Sequence, residues 1–231
     1  MAIHQVNPAH YLAGYMVPRL YKELRVGSGR VIPTEFTPPS PEDTPQSLFP
    51  HCPKVTATDR VHRFIRLNHD NRSVEDEFLI YTDGTCMDNG RTHARAGCSF
   101  VYNESTSGFA RFPLEYKGPT GQQHPMTVDR AQIRAVVAAL RYRDWAADGF
   151  SRLIIATDSD YVVDGITREA HEWTQFNWIT RAGSQSGIGI FGSVFSGRES
   201  NMKADRHAKE AGFMERHREF TDLAGVSNIS I

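Results

Sequence analysis

Two short apolar runs, each ending in an aspartate and separated by a segment of helical period, constrain this chain more than any other feature. Phe78-Leu79-Ile80-Tyr81-Thr82 leads into Asp83-Gly84, and Leu153-Ile154-Ile155-Ala156-Thr157 leads into Asp158-Ser159. Runs of this kind read as buried strands and Asp-Gly as a turn, so Asp83 is expected at the C-terminal end of the first strand. Between them Ile133, Val136, Val137 and Leu140 fall at i, i+3, i+4 and i+7, one face of a helix over residues 129–147 that Gly149 stops. A strand, a crossover helix and a second strand imply parallel neighbours in one sheet. Aspartates ending two such strands would lie about 4.8 Å apart, the inter-strand spacing. Carboxylates that close repel unless a divalent cation neutralises them, and oxygen-only ligands favour magnesium or manganese. Singly, each aspartate is more simply a turn former or a helix N-cap. Their joint occurrence, with Asp205 on a late helix, points instead to metal-dependent phosphate chemistry.

The surrounding elements follow from the same periodicities. Residues 96–102 alternate Ala96, Cys98, Phe100 and Tyr102 with Gly97, Ser99 and Val101, and residues 108–114 follow a turn at 103–107, which suggests an antiparallel meander. A helix starts near Ser159, Val194-Phe195 is a candidate last strand, and residues 201–216 read as a helix with Ala204, Ala208 and Ala211 on its packing side and Lys203, Arg206 and Lys209 mostly opposite. Residues 184–192 are Gly/Ser-rich without clear period. The expected organisation is an N-terminal arm over 1–75, a domain over 76–217 and a C-terminal tail over 218–231. Within the arm a short helix is expected over residues 11–24. Pro33, Pro38, Pro39, Pro41, Pro45, Pro50 and Pro53 then exclude a helix interior or central strand, leaving an irregular extended segment.

Charge and cysteine usage narrow the function class. The formal net charge is −1, so a tight nonspecific nucleic-acid binder is disfavoured, while a local basic stripe beside an acidic site remains compatible with phosphate binding. Arg60, His62, Arg63 and Arg66 form one such candidate patch; Arg130, Arg134, Arg141 and Arg143 on one helix read as a solvated face, and Trp173 and Trp178 as packing. The 3 cysteines include no C-x-x-C pair, so neither a disulfide framework nor a zinc site is indicated. No apolar run has the roughly 18 residues of a membrane span, and no signal or transit segment is visible. An intracellular protein, in cytoplasm or nucleus, is expected.

Four ordered motifs carry a family resemblance: Tyr81-Thr82-Asp83-Gly84 with Arg95-Ala96-Gly97; Asp129-Arg130-Ala131-Gln132-Ile133-Arg134-Ala135-Val136; Ala156-Thr157-Asp158-Ser159-Asp160-Tyr161-Val162-Val163; and Asn201-Met202-Lys203-Ala204-Asp205. Over residues 78–212 the chain resembles type 1 ribonuclease H, its fungal forms above all. The resemblance implies an α/β fold: a mixed five-stranded sheet, an antiparallel meander followed by parallel strands, flanked by helices. It implies cleavage of the RNA strand of an RNA/DNA hybrid by two metal ions, Mg2+ or Mn2+, in a monomer. Carried over by position, the catalytic set is Asp83, Gln132, Asp158 and Asp205, with Asp83, Asp158 and Asp205 as metal ligands. Gly84, Thr85, Asp129, Arg130, Ser159 and Asn201 would meet the nucleic acid.

The departures matter as much as the matches. Gln132 stands where the family has glutamate: an amide offers a carbonyl oxygen but no charge and accepts no proton. A unit charge about 4 Å from another is worth roughly 4 kcal/mol at an effective dielectric of about 20, so metal affinity and turnover should both fall. Asp129-Arg130-Ala131-Gln132 also fits a capping box, with Asp129 as cap. Asp129 replaces a substrate-contacting asparagine, and no histidine follows the last strand where bacterial relatives carry one. A haloacid-dehalogenase-type phosphatase is excluded because Tyr81 sits where its nucleophilic aspartate belongs, and a proofreading-type exonuclease is disfavoured because Asp83-Gly84-Thr85 lacks Asp-x-Glu. The remaining alternative is a nuclease-derived binding or scaffold domain without turnover.

Overall fold

The computed structural model describes residues 16–17, 34–55, 60–67, 73–143, 145, 150, 152–169, 193–196 and 201–223. Its strands are β1 (Met16–Val17), β2 (Thr34–Glu35), β3 (His51–Val55), β4 (Arg60–Leu67), β5 (Ser73–Met87), β6 (Arg95–Val101), β7 (Phe109–Pro113), β8 (Arg152–Thr157), β9 (Ser193–Ser196) and β10 (Asp222–Leu223). Its helices are α1 (Pro45–Leu48), α2 (Val128–Arg141), α3 (Asp160–Asp164), continued by a π-helical turn over Gly165–Glu169, and α4 (Met202–Ala211).

The five expected strands are β5 to β9. β5, β6 and β7 form the antiparallel meander, and β8 and β9 add in parallel on the other edge of β5. β5, at 15 residues, is long enough to serve two partners on one edge: β4 pairs along its first half and β6 from Tyr81 onward. The sheet therefore has 8 strands rather than 5, because β4, β3 and β2 join it. Residues 51–55 and 60–67, expected in the irregular arm, are part of the sheet, which reaches back beyond residue 76. The prolines fit this because Pro53 lies in β3, an end strand of the sheet, where an absent N–H is tolerated. Pro45 opens α1 behind the cap Thr44. Of the expected helix over residues 11–24 only Met16 and Val17 are described, and they pair with Asp222 and Leu223 as a short bridge.

The alternation along β5 and β6 sorts their side chains between two helices. Phe78, Ile80, Cys98 and Phe100 join Ala131, Ala135, Ala138 and Ala139 of α2 in the larger core. Leu79, Tyr81 and Val101 join Ala204 of α4 in the smaller one. The buried face of α2 is thus its alanine side with Val136, and Ile133, Val137 and Leu140, expected at its centre, are half-buried at its margin. Small residues win the central position because they let the helix approach the strand closely.

Gly84 shows how close. A Cβ there would lie 2.2 Å from the Ala131 carbonyl carbon and 2.2 Å from the Gln132 amide nitrogen. The Asp83-Gly84 pair is therefore not a turn ending the strand: Asp83 pairs with Ser99 and Gly84 with Cys98 in mid-ladder. Gly97 does the same for α4, where a Cβ would lie 2.1 Å from the Ala208 carbonyl oxygen. Gly84→Ala should lower unfolding free energy by about 3 kcal/mol, the upper part of the range for overpacking, because both atoms it meets are backbone. Chemical denaturation checks this; a loss under about 0.5 kcal/mol, the size of an ordinary surface substitution, contradicts the close approach.

Residues 217–223 are not a free tail. Tyr116 and Lys117 donate backbone N–H groups to the carbonyls of His217 and Arg218, and Phe220 is buried. Among the described residues no helix is long and apolar enough to cross a membrane.

Candidate active site

β5 and β8 run parallel with Tyr81 opposite Ala156, so two residues further along each chain Asp83 and Asp158 stand side by side. This is the juxtaposition the two apolar runs imply. Thr157 ends β8, Asp158 follows it, and Ser159 caps α3 by accepting the Val162 amide at 3.3 Å.

α4 brings the third carboxylate. Asn201 donates its side-chain N–H to the Thr82 carbonyl at 2.9 Å, and Ser99, opposite Asp83 in the ladder, donates its hydroxyl to the Ala204 carbonyl at 2.6 Å. These two bonds hold the first turn of α4, which carries Asp205, against β5 and β6 beside Asp83. Asp205 is half-buried and accepts an ion pair from Lys209 at 2.7 Å. Among the described residues no three His, Cys, Asp or Glu side chains already converge tightly enough to hold one ion.

Gln132 reaches the cluster from α2. Its amide nitrogen donates to Asp83 Oδ1 at 2.8 Å and to the Gly84 carbonyl at 2.9 Å. Both partners are acceptors, so only the NH2 end can face them, and Oε1 is left buried without a donor. The capping box expected for this helix does not form. Thr127 is the N-cap, accepting the Arg130 amide at 3.2 Å, while Asp129 is exposed in the first turn. Ser or Thr ahead of a helix is a cap signal, and Thr127 carried it.

Asp83 is 4% exposed, and burial pushes its carboxyl up to about 7, with the Asp158 charge adding to the rise. Hydrogen bonds from Gln132 and the Gly84 amide pull the other way. Because the folded value lies above the ordinary carboxylate value, the protonated form favours folding: the contribution is complete below about pH 4 and is lost as pH rises through about 7. In a chelator, the melting temperature of the native sequence should fall relative to that of Asp83→Asn between pH 5 and pH 8. Parallel pH trends in the two proteins would contradict the raised carboxyl.

Among the described residues, the buried side-chain oxygens without a donor include Gln132 Oε1 and Asp158 Oδ1. Orphaned oxygens beside carboxylates are what a hard divalent cation satisfies, so the donor set fits a divalent cation with oxygen ligands.

The residues expected at the nucleic acid divide. Asp129 is exposed and Thr85 half-exposed. Gly84 is the helix contact, and Ser159 the cap of α3. Asn201 is 2% exposed and Arg130 donates to the carbonyls of His124, Pro125 and Glu115, so both hold the fold together rather than project from it. Two members of the basic patch of the arm, Arg63 and Arg66, are also absorbed. Arg63 is buried under the rings of Tyr102 and Trp145, and Arg66 pairs with Glu77 at 2.8 Å. Side chains of Arg60 and His62, and residues 173, 178 and 184–192, lie outside the described residues. Sequence reasoning missed the pair Arg134–Glu115, joined at 2.6 Å deep beneath α2, and the ion pair Lys209–Asp205, which i,i+4 spacing could have shown.

The RNase H family model matches residues 75–188, which include Asp83, Gln132 and Asp158. The chain is 32% identical over 110 residues to mouse ribonuclease H1, covering 47% of this chain and 34% of that protein, and 30% identical over 112 residues to human ribonuclease H1, covering 48% and 35%. It thus spans about a third of the length of these mammalian relatives. Among solved structures it is similar to LC9-RNase H1, described as a type 1 RNase H with the type 2 active-site motif, at 22% identity and a TM-score of 0.40, covering 65% of this chain and 78% of that one.

Proposed function

We propose, from the premise that this chain belongs to the type 1 ribonuclease H family, that it hydrolyses the RNA strand of RNA/DNA hybrids at the cluster of Asp83, Asp158 and Asp205. The observation that carries the reading is the register of β5 and β8, which sets Asp83 beside Asp158 with the unpartnered Oε1 of Gln132 close by. Asp83 and Asp158 would anchor divalent ions and Asp205 would complete the second position. When bound, such ions supply an activated water and charge stabilisation of the leaving 3′ oxygen. The chain's own part is to hold the carboxylates in place through Asn201, Ser99 and the glycine contacts.

Gln132 sets the level of activity. Its NH2 already satisfies Asp83 Oδ1, so one oxygen a cation would use is occupied by a neutral donor, and the site has one negative charge fewer than a four-carboxylate site. Turnover by the native sequence should therefore be slow. Cleavage of a hybrid labelled on its RNA strand, in Mg2+ or Mn2+, tests the assignment. Asp158→Asn should remove all activity above background, and an unchanged rate would assign the cleavage to a contaminant. The same hydrogen bond favours a second reading, a domain that binds hybrid without cutting it. Hybrid binding by the native sequence with no cleavage in either metal would select that reading.

A further inference from the structure

Lys209 is the one cation among the described residues that ion-pairs with the cluster. It lies one turn beyond Asp205 on α4, and its ammonium meets Asp205 Oδ2 at 2.7 Å. The pair is open to solvent, with side chains 62% and 40% exposed, so the lysine is not needed to fill space. Asp205 itself cannot move away, because Asn201 and Ser99 fix the first turn of α4 to the sheet. Asp83 and Asp158, by contrast, have no ion-pair partner among the described residues, and Asp158 Oδ1 is buried without a donor.

The two sides of the cluster are therefore unequal before any metal arrives. We infer that Lys209 is a built-in cation for Asp205, which a divalent ion must displace or share before it can use that carboxylate. Resting on the metal-site reading above, this makes the position between Asp83 and Asp158 the first to fill and the position drawing on Asp205 the weaker, later one. An ammonium occupies one oxygen of Asp205 and cancels its charge, and both effects oppose a second cation. An exposed i,i+4 pair is weak enough to yield to a divalent ion at sufficient concentration. Lys209 thus acts as a positioning residue that sets the metal concentration at which the site is complete.

The test is a calorimetric titration of the full chain with MnCl2, without substrate, for the native sequence, Lys209→Met, Lys209→Arg, Asp205→Asn and the double variant Lys209→Met/Asp205→Asn. Met keeps the aliphatic stem and helix propensity while removing the charge. Lys209→Met should tighten the weaker Mn2+ event about fivefold or more, and Lys209→Arg should leave it within about twofold of native. Against an Asp205→Asn background, Lys209→Met should change nothing, since the competition is then gone. Equal affinities for native and Lys209→Met, or an effect that persists without the Asp205 carboxylate, would overturn the inference while leaving the metal site intact. No saturable Mn2+ binding by any variant would overturn both.

Discussion

Gln132→Glu should raise the rate of RNA-strand cleavage by about tenfold or more in Mg2+ or Mn2+, equivalent to about 1.4 kcal/mol of barrier. The charge restored beside Asp83 and Asp158 is the source of the gain, and even a third of the roughly 4 kcal/mol expected for a nearby unit charge suffices. The structure adds a second consequence. The amide donates to Asp83 Oδ1 and to the Gly84 carbonyl, and a carboxylate can do neither, so the variant faces two acceptors with an acceptor. Without metal, Gln132→Glu should therefore be less stable than the native sequence, and Mn2+ should raise its melting temperature more. A folded variant whose rate and metal response both match the native sequence would remove Gln132 from the site's chemistry.

Glu115→Gln should cost about 3–5 kcal/mol, the range for breaking one side of a buried ion pair. Arg134 is 5% exposed and Glu115 fully buried, and Arg134 Nε lies 3.0 and 3.1 Å from the two carboxylate oxygens, with Nη2 at 2.6 Å. The same guanidinium donates to the Thr221 carbonyl and stacks against Phe112 and Phe220, at 4.7 and 4.4 Å from their centroids. Losing the carboxylate charge removes the buried counter-charge that meets this cation between α2, β7 and residues 220–221. Urea unfolding should show the loss, and the paired change Glu115→Leu with Arg134→Met should recover much of it because neither charge then remains. A single-variant loss below about 1 kcal/mol would mean the pair is solvated in solution. Since Arg134 lies two residues beyond Gln132 on α2, the pair also fixes the turn that presents Gln132 to Asp83.

The parts of this arrangement legible in the sequence are those whose signal is local and periodic. Two apolar runs broken by a helix gave parallel β5 and β8, and equal spacing to Asp83 and Asp158 gave their adjacency. Ala204, Ala208 and Ala211 gave the packing side of α4. What was not legible depends on distant partners. Gly84 after Asp83 reads locally as a turn, and only the backbone of α2 pressing on it shows that the glycine belongs to a continuing strand. Arg134 looks like part of a solvated basic face until Glu115, 19 residues earlier, is found beneath it. Prolines argued against a helix interior or a central strand in the first third of the chain, and Pro53 does lie in β3 at the end of the sheet, but nothing local showed that this segment joins the sheet at all. Asn201 and Arg130 belong to recognisable motifs, but their hydrogen bonds inside the fold are invisible in one dimension.

If Asp83, Asp158 and Asp205 form a divalent-metal site weakened by Gln132, Mn2+ affinity in the absence of substrate reports it. Titration of the native sequence should show saturable binding that weakens by about tenfold or more in Asp158→Asn, a loss of about 1.4 kcal/mol, and tightens in Gln132→Glu. Equal affinity across the three proteins, each shown to be folded, would contradict it.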